Sequence, residues 1–155
     1  MGKSTVGQLL AEELHWKFYE ADDFHPTANV EKMKKGVALT DEDRQPWLEK
    51  LRELIERCLV SKERAVIACS ALKKAYRDRL RVSEEVKFIF LRGDKARVAA
   101  QLRNRRGHFM NPALLQSQFR DLEEPTRSEA VLTVELGRSP QDLVDLIKRK
   151  LRLGL

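Results

Sequence analysis

The 155 residues hold only two cysteines, Cys58 and Cys69. Two thiols cannot build a disulfide scaffold, and in a chain with no visible leader they read as reduced, structural residues. Three histidines are present, and no pair of histidine or cysteine stands at metal-ligand spacing, which argues against a zinc site. Aromatics make up just 6% of the chain. The basic residues lie mostly beside acids, as in Glu49-Lys50-Leu51-Arg52-Glu53, a pattern of solvated ion pairs rather than of a nucleic-acid face with interleaved aromatics. No run approaches the roughly 18 apolar residues of a membrane span. The opening Met1-Gly2-Lys3-Ser4-Thr5 has no apolar stretch of the secretory kind. These absences lead us to expect a cytoplasmic protein that works on neither membrane nor nucleic acid.

What is present suits one globular domain over residues 1–155, with 42% hydrophobic and 35% charged residues. A net charge of +6 points to an anionic small ligand. Helical and strand periods alternate. Helical stripes run over Ser4–His15 (Val6, Leu9, Leu10, Leu14), Asn29–Lys35 up to Gly36, Thr40 to about Val60, Lys73–Arg81, Lys95–Arg105, Asn111 to about Leu122, and Pro140–Leu151. Thr40 and Asp43 have the spacing of a capping box. Strand-like runs cover Trp16–Tyr19, Ala65–Cys69, Val86–Leu91 and Ala130–Glu135. The continuous apolar run Ala-Val-Ile-Ala-Cys suggests a buried parallel strand. Strands separated by helices predict an α/β fold: a three-layer α/β/α sandwich around a parallel sheet.

Several segments place chemistry where such folds bind ligands. Gly2-Lys3-Ser4-Thr5, followed at once by a helix, has the form of the back half of a phosphate-binding loop. In that reading Lys3 reaches phosphate and Ser4 supplies an oxygen to Mg²⁺; the competing reading is a helix cap by Ser4 or Thr5. The acidic turn Glu20–Pro26 follows a strand, where Asp22 can accept a hydroxyl proton, Asp23 suits a cap, and His25 alone reads as a surface or packed histidine. Arg44 opposes the dipole at a helix start. Either a carboxylate ligand or an ion pair with Asp41 or Asp43 accounts for it. Ser70 and Lys73 stand where the apolar strand runs into a basic helix. The dense run Arg103-Asn104-Arg105-Arg106-Gly107 suits either a lid over phosphate or a solvated face.

The order of these segments is more specific than any one of them. Gly2-Lys3-Ser4-Thr5, Asp22-Asp23-Phe24-His25-Pro26, Asn29, Lys32-Met33, and Asp43-Arg44-Gln45-Pro46-Trp47-Leu48 resemble the gluconokinase family. So do Cys69-Ser70-Ala71-Leu72-Lys73-Lys74, Tyr76-Arg77-Asp78, Gly107-His108-Phe109, and Leu115–Phe119 leading to Leu122-Glu123-Glu124-Pro125. The resemblance spans nearly the whole chain. It implies a P-loop kinase of the shikimate-kinase type that phosphorylates the 6-hydroxyl of D-gluconate with ATP and Mg²⁺, with a lid around residues 103–112 and a homodimeric assembly. It further implies Lys3, Asp22 and Arg105 as catalytic residues, and ATP contacts from Gly2, Lys3, Ser4, Thr5, Arg103 and Arg105. Asp22, His25, Arg44, Lys73 and Arg77 would contact the substrate, with Ser4 at the Mg²⁺. One departure stands out. The family's loop reads roughly Gly-x-Ser-Gly-Ser-Gly-Lys-Ser after a buried strand, and only its last part is present here. We therefore expect a sheet lacking its first central strand and weakened ATP binding, the alternative reading being an impaired form that acts only as a binding partner.

Overall fold

A computed structural model describes residues 3–93, 120–126 and 128–153. The described helices are α1 (Lys3–Leu14), α2 (Thr27–Lys34), α3 (Asp41–Ser61), α4 (Lys74–Leu80) and α5 (Pro140–Leu151). The strands are β1 (Lys17–Glu20), β2 (Ala65–Ala68), β3 (Phe88–Arg92) and β4 (Val131–Glu135). The helical segments expected over Lys95–Arg105 and from Asn111 lie outside the described residues, apart from a last helical turn at residues 120–121.

The helix ends form for local reasons. Thr40 accepts a hydrogen bond from the Asp43 amide while the Asp43 carboxylate accepts one from the Thr40 amide, so aspartate serves where glutamate or glutamine usually closes a capping box. Ser139 caps α5 through the Asp142 amide, and Lys148, Arg149 and Lys150 oppose the negative end of its dipole. Gly36, at φ 77°, makes the turn after α2 that side-chain-bearing residues rarely make.

Among the described residues the strands pair in parallel. Lys17–Glu20 pairs with Ala65–Ala68, and Phe88–Arg92 pairs with Val131–Glu135. Among the described residues these remain two separate two-stranded sheets. Helices cover both faces. Trp47, Leu48, Leu51 and Ile55 of α3 pack with Tyr76 and Leu80 of α4 over Ile67 and Phe88. Val6 and Leu10 of α1 pack with Leu143, Val144 and Ile147 of α5 over Val66, Ile89, Leu91 and Val134. Neighbouring strand residues thus feed opposite layers, as the pleat requires. At Gly7 α1 comes so close to β1 that a Cβ there would lie 2.9 Å from the Phe18 ring.

One expectation is corrected. The run at β2 reads as a buried parallel strand, yet only Ala68 of it is buried, while Val66 and Ile67 are half-buried, as are Phe88 to Leu91 of β3. Among the described residues each of these strands has a partner on one side only, so its side chains lack the second neighbour that completes burial in a wide parallel sheet.

Candidate active site

β1 and β2 run parallel and in register, so Glu20 and Ala68 end them side by side. The chain then turns into a 3₁₀ helix at Ala21–Phe24 on one side and continues through Cys69 and Ser70 on the other. The first turn of α1 reaches this point, where the Ser4 hydroxyl donates to the Glu20 carboxylate. Strand ends meeting a helix N-terminus form the usual ligand crevice of an open α/β sheet.

The acids there are unusual. Burial holds the Asp22 carboxyl above the ordinary carboxylate range; Lys3 works against this and Asp23 adds to it. Burial also raises Glu20, offset by the Ser4 hydrogen bond and by Lys3. Lys3, Asp22 and Glu20 all act on the thiol of Cys69, which burial pushes up to about 12. A lysine and two destabilised carboxylates therefore share one spot.

Beside Asp22 stands His25, whose side chain is only 4% exposed; its Nε2 lies 3.9 Å from Asp22 Oδ1. The imidazole stacks on Trp47 at 4.5 Å, with 12° between the planes. Trp47 is itself fixed by donating from Nε1 to the Ala21 carbonyl at 2.7 Å. Burial, aided by the Arg44 charge, lowers the His25 pKa to about 4.

The basic residues form a second group. Arg44 donates to the Tyr76 hydroxyl at 2.8 Å and pairs with Asp121 at 3.3 Å. Lys73 pairs with Asp41 at 2.9 Å, and the Tyr76 hydroxyl also donates to Asp41. Both cations lie within 6 Å of the Tyr76 ring centre. Arginine at the start of α3 is thus held by contacts from α4 and from residue 121. The Asp41 partner that the sequence offered goes to Lys73 instead, and Asp43 goes to Lys32 at 2.9 Å.

Arg77, expected at the substrate, is placed differently. Its guanidinium pairs through Nε and Nη2 with Glu129 at 2.9 and 3.1 Å, and it also donates to the carbonyls of Ala71, Leu72 and Glu123. All three of its nitrogens are committed, and the side chain is 5% exposed. It braces α4 against Glu123 and Glu129. Thr5 is exposed on α1. Gly2, Arg103, Arg105 and the expected lid lie outside the described residues. Sequence reasoning passed over Glu20, Trp47, Tyr76 and Asp41 as site residues. Glu20 sits in the acidic turn and was open to detection, whereas the others converge only through packing.

The profile of the shikimate kinase family matches residues 1–149. The gluconokinase of Arabidopsis thaliana is 41% identical over 160 residues, covering 94% of this chain and 84% of that protein. The chain belongs to the shikimate kinase family, in its gluconokinase branch. Two crystal structures agree with this. A sugar kinase from a Janibacter species superposes with a TM-score of 0.92 at 37% identity, covering 99% of this chain and 89% of that one. A gluconokinase from Sinorhizobium meliloti superposes at 0.81, also at 37% identity, covering 97% and 89%. As a gluconokinase-family member the chain is a kinase of the P-loop α/β fold, and ATP use goes with that fold.

Proposed function

We propose that the protein transfers the γ-phosphoryl group of ATP to the 6-hydroxyl of D-gluconate. The observation that carries this reading is the half-buried Asp22 carboxylate at the carboxyl end of β1, on which the Lys3 charge acts and which His25 Nε2 faces at 3.9 Å. A carboxylate made more basic by burial is a better acceptor for the proton of an attacking hydroxyl. Lys3 stands on the same side as the helix N-terminus, where transferred phosphoryl charge is stabilised. Arg44 and Lys73 offer cations to the sugar acid's carboxylate, each now held by an acidic side chain that an anionic ligand can replace.

Kinases of this class draw Mg²⁺ with the nucleotide. Among the described residues no cluster of three or more His, Cys, Asp or Glu forms a metal site. The oxygens of Ser4 and Glu20 at the mouth of α1 are hard donors that suit Mg²⁺ arriving with phosphate oxygens. The ion would neutralise phosphate charge there.

The test follows gluconate-dependent ADP release beside calorimetric binding of gluconate. Asp22→Asn is expected to lower kcat about 10²–10⁴-fold while gluconate still binds, the loss typical of a removed general base. If gluconate is neither bound nor turned over while another polyol acid is, the substrate assignment fails.

A further inference from the structure

The positions of Asp22, His25 and Asn29 fix the direction of a hydrogen-bond relay. Asn29 is a polar side chain 3% exposed inside α2. Its Nδ2 lies 2.8 Å from the Asp43 carbonyl and 3.2 Å from His25 Nδ1. A backbone carbonyl only accepts, so the amide nitrogen, not the amide oxygen, must face Asp43. That settles the amide orientation independently of the histidine. The second hydrogen on the same nitrogen is then directed at His25 Nδ1, which must accept. A neutral imidazole that accepts at Nδ1 carries its proton on Nε2. Nε2 is the atom facing Asp22 Oδ1.

The groups around the ring agree with a neutral histidine. Asp22 faces it from the 3₁₀ helix, while Arg44 acts on it from α3 and disfavours its protonation. Asp43, also of α3, has its carboxylate engaged by Lys32 and the Thr40 amide, away from the ring. Asn29 is the contact from α2.

At 3.9 Å, Nε2 and Oδ1 are too far apart for a direct hydrogen bond. They are well spaced for one oxygen between them, about 2.9 Å from the nitrogen and about 2.7 Å from the carboxylate. We propose that His25 Nε2–H and Asp22 Oδ1 clamp a single substrate hydroxyl, one donating to its oxygen and the other accepting its proton, and that Asn29 is the positioning residue that sets this polarity. The clamp rests on the kinase reading above, and Asn29 acts through His25 without touching substrate. With the opposite tautomer, two acceptors would face the hydroxyl, and one of them would be left without a proton.

The experiment has two readouts on the whole chain. Nitrogen-15 spectra of the imidazoles, with the His25 signals identified by their loss in His25→Phe, are expected to show Nε2 protonated and Nδ1 bare. Asn29→Asp, which replaces the donor by an acceptor, is expected to move the proton to Nδ1. In gluconate assays, Asn29→Ala is expected to lower kcat/KM about 10-fold in the native background and less than 2-fold in His25→Phe, since a residue acting through another adds nothing once that one is gone. A residue that merely supported the fold would cost the same in both backgrounds. A native spectrum with Nδ1 protonated, or equal costs in both backgrounds, overturns the proposal. If the native chain does not turn over gluconate, the substrate reading falls, whereas the Asn29 assignment still stands or falls on the spectrum.

Discussion

His25 links three elements through a single ring, and its titration is a stability statement. Its folded pKa, about 4, lies below the ordinary histidine value. Above about pH 6.5 the ring is neutral in both folded and unfolded chains, so it adds no pH dependence there. Between about 6.5 and 4 the unfolded chain takes up a proton that the folded one refuses, and stability falls as pH falls. Thermal melts from pH 8 down to pH 4 are expected to show a loss of Tm across that window. In His25→Phe, which keeps a ring on Trp47, the loss should be visibly smaller. Parallel slopes for the two proteins would mean that the ring is protonated in the fold. Asp22 contributes to the same trend with opposite sign, because its raised carboxyl pKa favours the folded chain at low pH. The comparison with His25→Phe, in which Asp22 is retained, separates the two.

Among the described elements, α4 carries a buried ion pair. It is a seven-residue helix, too short to hold itself, and its N-cap Lys73 provides no side-chain cap. What holds it is the packing of Tyr76 and Leu80 together with the Arg77 brace to Glu129. Both partners of that pair are at most 5% exposed. Removing one leaves the other charge buried without a counterion, which costs about 3–5 kcal/mol. Arg77→Met and Glu129→Leu are each expected to lose that much in urea unfolding, and the double variant less than the sum of the two. Additive losses would show that the pair is not coupled. The brace also bears on function, because Tyr76 on the same helix holds Arg44. Loosening α4 should therefore raise the KM for the acceptor substrate through Arg44.

At the scale of the molecule, the two thiols report opening of the layers. Cys58 is buried and held at about 11 by burial and by Glu63, and Cys69 packs against the α3–α4 layer at about 12. At pH 8 the reactive thiolate is then about one part in a thousand or less. The native chain is expected to react slowly with a disulfide reagent, and both thiols at once in denaturant. Fast labelling of one thiol in the native chain would show that its layer opens without global unfolding.

How much of this was legible beforehand follows from the range of the forces involved. Periodicity and capping are local, so the span of α5, the capping box of α3 and the α/β class could all be read from the order of residues. The places of Asp22 just past a strand and of Lys3 at a helix start were legible, because both follow from chain order. Burial was not. β2 reads as a core strand, but its exposure depends on what lies along its other edge, and its sequence carries no record of that. Nor were the ion pairs legible. Arg44 had Asp41 and Asp43 within a helical turn and took Asp121, 77 residues away, while Arg77 looked like a ligand-binding cation and became a brace to Glu129, 52 residues on. A charge selects its partner by distance and desolvation in the folded state. The sequence by itself therefore determined the elements, their order and the types of group at the strand ends, while only the tertiary structure decided which acid each cation pairs with and which side chains close around His25, because both depend on distances between residues far apart in the chain.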